Sequence, residues 1–216
     1  MDITFFGQAS FKIKGKNASV VTDPFDGKML GIKYPKVDAD IVTVSHHHGD
    51  HDKVENVENV KRVVDGPGEY EINGVSIIGL PTFHDAVKGA ERGKNTIYVI
   101  EIDGLRLLHL GDLGHTLPDE TVKEIGPIDI MMIPVGGSFT IDAEKATQVQ
   151  KQVGASIVVP MHYRLDGLTP ELSEKLAPVE DFITASSLRT EKLPKLSVKF
   201  GDINNEEEYA VILEKK

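Results

Sequence analysis

The stretch Asp40-Ile-Val-Thr-Val-Ser-His-His-His-Gly-Asp-His-Asp52 decides how this chain reads. Its first half, Ile41 to Val44, is a short apolar run rich in β-branched residues, which predicts a buried strand. Its second half places His46, His48, Asp50 and His51 at H-x-H-x-D-H spacing on the loop leaving that strand. Neutral imidazole nitrogen and carboxylate oxygen are donors for zinc and similar divalent ions, and a catalytic site keeps one coordination position open. On an extended backbone alternate side chains share a side. His46 and His48 are therefore expected to reach one ion, with His47 facing away. Asp50 and His51, past the bend at Gly49, can turn toward a second ion.

The array from His46 to His51 resembles the metal-binding motif of the metallo-β-lactamase superfamily, and that resemblance implies three further ligands at strand ends. They fall on His84 in Leu80-Pro-Thr-Phe-His84, Asp112 in His109-Leu-Gly-Asp112 and His162 in Val158-Val-Pro-Met-His162, each closing an apolar run. The likeness runs from the opening strands to at least Tyr163. The segments Pro134-Val-Gly-Gly-Ser-Phe-Thr140 and Pro160-Met-His-Tyr163 are similar to those of its small single-domain members, the branch that includes L-ascorbate-6-phosphate lactonase.

The resemblance implies an α/β (α+β) fold, a four-layer αββα sandwich of two mixed sheets flanked by helices, as one domain over residues 1–216. It also implies a ligand set: His46, His48 and His84 on one divalent ion, Asp50, His51 and His162 on a second, and Asp112 bridging. Zinc is the first expectation, with manganese, iron or nickel compatible with the same donors. Asp50 and Asp112 then belong to the catalytic centre, and Tyr163, beside the last ligand, is a candidate proton donor to the leaving group. The implied activity is that of a metal-dependent hydrolase acting on a small, anionic ester, lactone or phosphodiester. Two other readings stay open, a mononuclear iron oxidoreductase and a non-catalytic metal-binding protein. Residue 48 is histidine where flavodiiron relatives carry glutamate, and Gly7-Gln8 stands where many look-alikes have Gly-His.

Composition narrows the partners. The chain has 216 residues and no cysteine, so neither disulfides nor thiolate ligands exist. Lys and Arg total 24 against 34 Asp and Glu, a net charge of −10 that disfavours nucleic acid. No basic leader and no apolar run of membrane-spanning length is visible, so the expectation is a cytoplasmic protein with a small-molecule substrate. Self-association into a homo-oligomer is left open. In this acidic chain Lys88, Arg92 and Lys94 cluster on the loop after His84, and they are candidates for gripping a substrate anion.

Other local signals follow the chain. Three short antiparallel strands open it, and Asp23-Pro24 ends the third, with Asp23 suited either to the turn or to accepting from a ligand imidazole. Gly27 to Asp38 has no periodicity and reads as a loop whose Phe25, Met29, Leu30 and Tyr34 line the substrate or simply pack. Asn73-Gly74 between apolar runs predicts a hairpin. His109 and His115 are expected near the site without being ligands. Gly136 to Thr140 reads as a turn whose N–H groups face a substrate anion, unless the tight turn alone accounts for its glycines. Asp142 is expected to cap a helix ended by Gly154, and Leu196 to Phe200 and Tyr209 to Leu213 to be strands.

Overall fold

The computed structural model describes residues 1–204 and 206–216. Two mixed sheets carry the fold. The six-stranded sheet runs Leu196–Ser197, Asp2–Gly7, Ser10–Lys14, Ser19–Thr22, Ile41–Thr43, Arg62–Val64. The eight-stranded sheet runs Arg189–Leu193, Tyr209–Leu213, Ile157–Met161, Ile130–Pro134, Leu105–His109, Lys94–Ile102, Val75–Phe83, Gly68–Ile72.

Two-residue alternation explains the layering. Ile3, Phe5, Ile13, Val20 and Ile41 of the first sheet share one core with Ile77, Val99 and Leu107 of the second. Their neighbours Phe6, Val21 and Val42 turn to the opposite face and build a second, smaller core. With both faces covered, the strands read as continuous apolar runs. Helices Asp119–Ile125, Ala143–Val153 and Val179–Ser186 join the main core through Ile125, Ala146, Val149 and Phe182. On the other side the helical segments Gly27–Leu30 and Pro170–Lys175 meet the smaller core through Leu30 and Leu172. The result is the expected αββα order, with one outer layer reduced to short turns of helix.

Local chemistry sets the boundaries. Asp142 accepts from the Lys145 N–H at 2.9 Å to start its helix, and Gly154 closes it at φ 66°. Asn73 and Gly74 adopt φ 53° and 78°, the left-handed pair a two-residue hairpin needs, opposing Ile72 to Val75. Two expectations change, and one strand was not anticipated. The Gly27 to Asp38 loop contains a helical turn capped by Asp26, whose carboxylate accepts from the Lys28 N–H at 2.8 Å, and a two-residue strand, Val37–Asp38. The strand at Leu196 stops at Ser197, before a 3-10 turn at Phe200–Asp202. The strand Arg189–Leu193 carries no apolar pattern to announce it, because it is an edge strand exposing its charges.

The parallel strands share a direction, so their carboxyl ends open on one edge of the sandwich. Asp23, His46, Asp112 and His162 follow Ser19–Thr22, Ile41–Thr43, Leu105–His109 and Ile157–Met161. Open α/β sheets bind ligands at such ends.

Candidate metal centre

Seven side chains from four segments converge at that edge. The donor atoms of His46, His48 and His84 form one group and those of Asp50, His51, Asp112 and His162 another, all within 4.8 Å of one another in each group. Asp112 reaches toward both. Its Oδ2 lies 3.1 Å from His84 Nε2 and 3.2 Å from His162 Nε2, and its Oδ1 lies 3.2 Å from His51 Nε2. The loop itself differs from expectation. Ser45 to His48 is a run of bends and Gly49 to His51 a turn, closed by the His51 N–H donating to the His48 carbonyl at 2.8 Å. His46 and His48 still meet, with ring centroids 4.6 Å apart, and His47 faces solvent.

The donor set fits a pair of divalent cations. His46 Nε2, His51 Nε2 and Asp112 Oδ1 are buried, and although the last two stand 3.2 Å apart none of the three makes a hydrogen bond of good geometry among the described residues. Buried polar atoms are normally satisfied, so three that aim into one space call for a ligand there.

Electrostatics divides the roles. Burial opposes ionisation of Asp112, but the imidazoles of His162 and His51 outweigh it and hold the carboxyl well below the usual range. Burial also opposes a charge on His51, yet Asp112 and Asp50 raise its pKa well above the ordinary value. His46 goes the other way, pushed down to about 3 by burial and by His51. A pH prediction follows for the metal-free protein. Below about pH 6.5 an unfolded chain protonates its histidines, while folded His46 stays neutral to about 3. A depressed folded pKa gives stability that is present above pH 6.5 and lost as pH falls through that window. His48 and His109, lowered chiefly by burial, act in the same sense. His51 is protonated in both states there and leaves the slope to them. Thermal melts should show Tm falling from about pH 6.5 toward 3; a flat Tm would contradict this distribution of charge.

Asp23 does both things its sequence allows. It turns the chain at φ 39°, and its carboxylate accepts from the Ser45 N–H at 2.8 Å, the Ser45 hydroxyl at 2.6 Å and His51 Nδ1 at 2.8 Å. Ser45 Oγ, its proton given to Asp23, stands 2.9 Å from His46 Nδ1. An ionised carboxylate only accepts, so Nδ1 must carry the proton on both rings, leaving Nε2 of His51 and of His46 free as donors. One carboxylate fixes a tautomer in each ligand group.

Gln8 is the side chain that sequence reading undervalued. It is buried at φ 53°, its Nε2 donates to Asp50 Oδ2 at 2.9 Å and lies 2.7 Å from His162 Nε2, and its backbone carbonyl accepts from the His162 backbone N–H at 2.8 Å. His162 is left-handed as well, at φ 52°. Such conformations cost about 1–3 kcal/mol each and persist where surrounding structure holds them. His109 is buried, its Nε2 2.8 Å from the Ala9 carbonyl, and His115 accepts from the Phe83 N–H at 3.2 Å. Neither belongs to a ligand group.

The centre opens into a cavity of about 370 Å³ bordered by Gln8, Asp50, Arg92, Met29, Phe139 and Leu172. Several expectations are corrected here. Tyr163 is not a proton donor to this cavity. Its ring lies 6.2 Å from the Phe5 ring, and it borders a separate cleft with Arg164 and Glu180. Burial and Glu180 push its hydroxyl up to about 12. Lys88 is exposed at a turn of φ 58° and borders neither the metal cavity nor its neighbour. Lys94 lines that neighbouring cavity of about 400 Å³, which Arg92 also borders. Of the suggested apolar wall only Met29, 54% exposed, borders the metal cavity, because Phe25 and Leu30 lie in the smaller core and Tyr34 packs edge-on against Phe25. In the Gly136 to Thr140 turn the N–H groups of Gly137, Phe139 and Thr140 bond within the turn, so they are not free for an anion.

The family model for the Beta-lactamase superfamily domain matches residues 2–162. The chain belongs to this superfamily, in the metallo-β-lactamase form that its ligand array resembles. A UPF0173 metal-dependent hydrolase from Pelotomaculum thermopropionicum is 32% identical over 193 residues, covering 76% of this chain and 84% of that one. Another from Thermococcus onnurineus is 30% identical over 188 residues, covering 74% and 84%. Among solved structures, a Thermotoga maritima protein described as a candidate Zn-dependent hydrolase of the metallo-beta-lactamase superfamily shares 39% identity at a TM-score of 0.79, with 99% of this chain and 98% of that one covered. None of the three is described as a lactonase, so they lend no support to the narrower likeness. No helix among the described residues is long and apolar enough to cross a membrane.

Proposed function

We propose that this protein is a metal-dependent hydrolase with a dinuclear centre, acting on a small ester, lactone or phosphodiester that carries an anionic group. The observation carrying this reading is the pair of donor groups with Asp112 between them. His46, His48 and His84 would hold one ion, Asp50, His51 and His162 the other, with Asp112 shared. Bound there, divalent cations supply an acidified water as nucleophile and a Lewis acid for the carbonyl or phosphoryl oxygen under attack. The protein needs no serine or cysteine nucleophile of its own.

The remaining work falls to side chains around the cavity. Asp50, more exposed than Asp112, accepts a hydrogen bond from Gln8 at the cavity wall, and His51 outweighs burial to hold it ionised, a state suited to a metal ligand. Met29, Phe139 and Leu172 exclude water from one side. With Tyr163 turned away, the leaving group draws its proton from cavity solvent. Arg92 is the cation at the rim, and no carboxylate lies within ion-pairing distance of it among the described residues. In a chain of net charge −10, a guanidinium without an acidic partner suits a substrate anion.

Arg92→Ala should therefore raise KM for an anionic ester about 10–100-fold, the loss of one charged hydrogen-bonding contact, and leave a neutral ester of the same size unchanged. Equal effects on both would remove the anion from this reading. The class itself is tested by metal removal. Turnover on a panel of esters, lactones and phosphodiesters should vanish with chelator and return with zinc or manganese. A single redox-active iron per chain, with no hydrolysis, would favour the oxidoreductase instead.

A further inference from the structure

The loop from Asp85 to Gly93 has no regular structure, yet it is built around one buried carboxylate. Asp85 Oδ1 accepts from the N–H groups of Val87 at 2.9 Å and Gly89 at 2.7 Å. Its Oδ2 accepts from those of Glu91 at 3.0 Å and Arg92 at 2.8 Å. Charge-assisted bonds of this kind are stronger than neutral ones, and four on one side chain fix the path of the loop. The surroundings leave no slack: a Cβ at Gly114 would stand 2.3 Å from the Asp85 nitrogen. The loop also closes on itself where the His84 N–H donates to the Gly93 carbonyl at 3.1 Å.

At its far end the loop delivers Arg92. The guanidinium carbon lies 5.0 Å from the centre of the Phe139 ring, and Nη2 donates to the Ser138 carbonyl at 3.3 Å. Ser138 is itself anchored, its hydroxyl donating to the Lys175 carbonyl at 2.6 Å. Arg92 is thus held at its backbone by Asp85 and at its tip by the Ser138–Phe139 turn, with most of its five N–H donors uncommitted at the mouth of the metal cavity.

We infer that Asp85 is a positioning residue that presents Arg92 to the anionic part of the substrate, so that charge selectivity is set by a carboxylate that touches neither substrate nor metal. The inference rests on the hydrolase reading above. A preformed cation spares the ordering cost that a free arginine side chain meets on binding.

The test uses the metal-loaded enzyme and its D85A, D85N, R92A and D85A/R92A forms. Catalysis is read on a matched pair of esters, one with a remote carboxylate and one neutral. Inorganic phosphate is titrated while the Arg92 Nε–H resonance is followed. D85A should raise KM for the anionic ester about tenfold, leave its kcat and the neutral ester unchanged, and keep wild-type metal stoichiometry. D85N, which keeps the shape of the side chain but lacks its charge, should fall between. The double variant should be no worse than R92A, since both act through one contact. Phosphate should bind near Arg92 about tenfold more weakly in D85A. Equal KM changes for the two esters, multiplying effects in the double variant, or unchanged phosphate affinity would each overturn the inference. Failure of every form to hydrolyse either ester would instead count against the hydrolase reading, and the phosphate titration would still decide the role of Asp85.

Discussion

Asp112→Ala is expected to abolish paired metal binding and to lower hydrolysis about a thousandfold, roughly 4 kcal/mol of transition-state stabilisation. The reason is geometric. Among the described residues Asp112 is the one side chain whose oxygens approach imidazoles of both groups, His84 on one side and His51 and His162 on the other. It is also nearly inaccessible, so solvent cannot readily take its place. Without it, His46, His48 and His84 still form a three-nitrogen site, and the variant should keep at most one ion per chain. Metal content and kcat measured on one preparation check this. Two retained ions with near-normal kcat would mean that Asp112 is not shared.

Asp23→Asn should weaken both ions by about 10–100-fold, although Asp23 coordinates neither. Its carboxylate is the acceptor that keeps the proton on His51 Nδ1 and, through Ser45 Oγ, on His46 Nδ1. An asparagine amide offers N–H where the imidazole N–H now points. That favours the tautomer with the proton on Nε2, the atom aimed at the metal. Ser45→Ala separates the two arms, because it breaks the link to His46 and leaves the Asp23 to His51 bond in place. Competition titration with a chromogenic chelator should show both ions weakened in Asp23→Asn and one in Ser45→Ala. An effect of Asp23→Asn on one ion alone would contradict the shared-carboxylate account.

The chemistry of coordination explains why so much of the centre was legible in the sequence. A divalent ion restricts its donors to few residue types, so the array at His46 stood out by itself, while His84, Asp112 and His162 were picked out through the likeness to the metallo-β-lactamase superfamily, each at the end of an apolar run. The αββα order was implied by the same likeness and agreed with the strand-rich apolar patterning, while the edge strand at Arg189 carried no such signal. The direction of Tyr163 was not legible, because it follows the end of the strand Ile157–Met161 and a left-handed His162, where strand alternation no longer applies. The cavity wall was not legible: Met29, Phe139 and Leu172 come from three segments that meet only after folding. Asp85 stood in plain view beside His84, but nothing linear shows that four backbone N–H groups fold around it.

The most direct measurement is a crystal structure of the zinc-loaded protein with anomalous data at the zinc edge. The account predicts two peaks per chain, one among His46, His48 and His84 and one among Asp50, His51 and His162, with Asp112 between them. No peak at this edge of the sandwich, or peaks only at other residues, would contradict it.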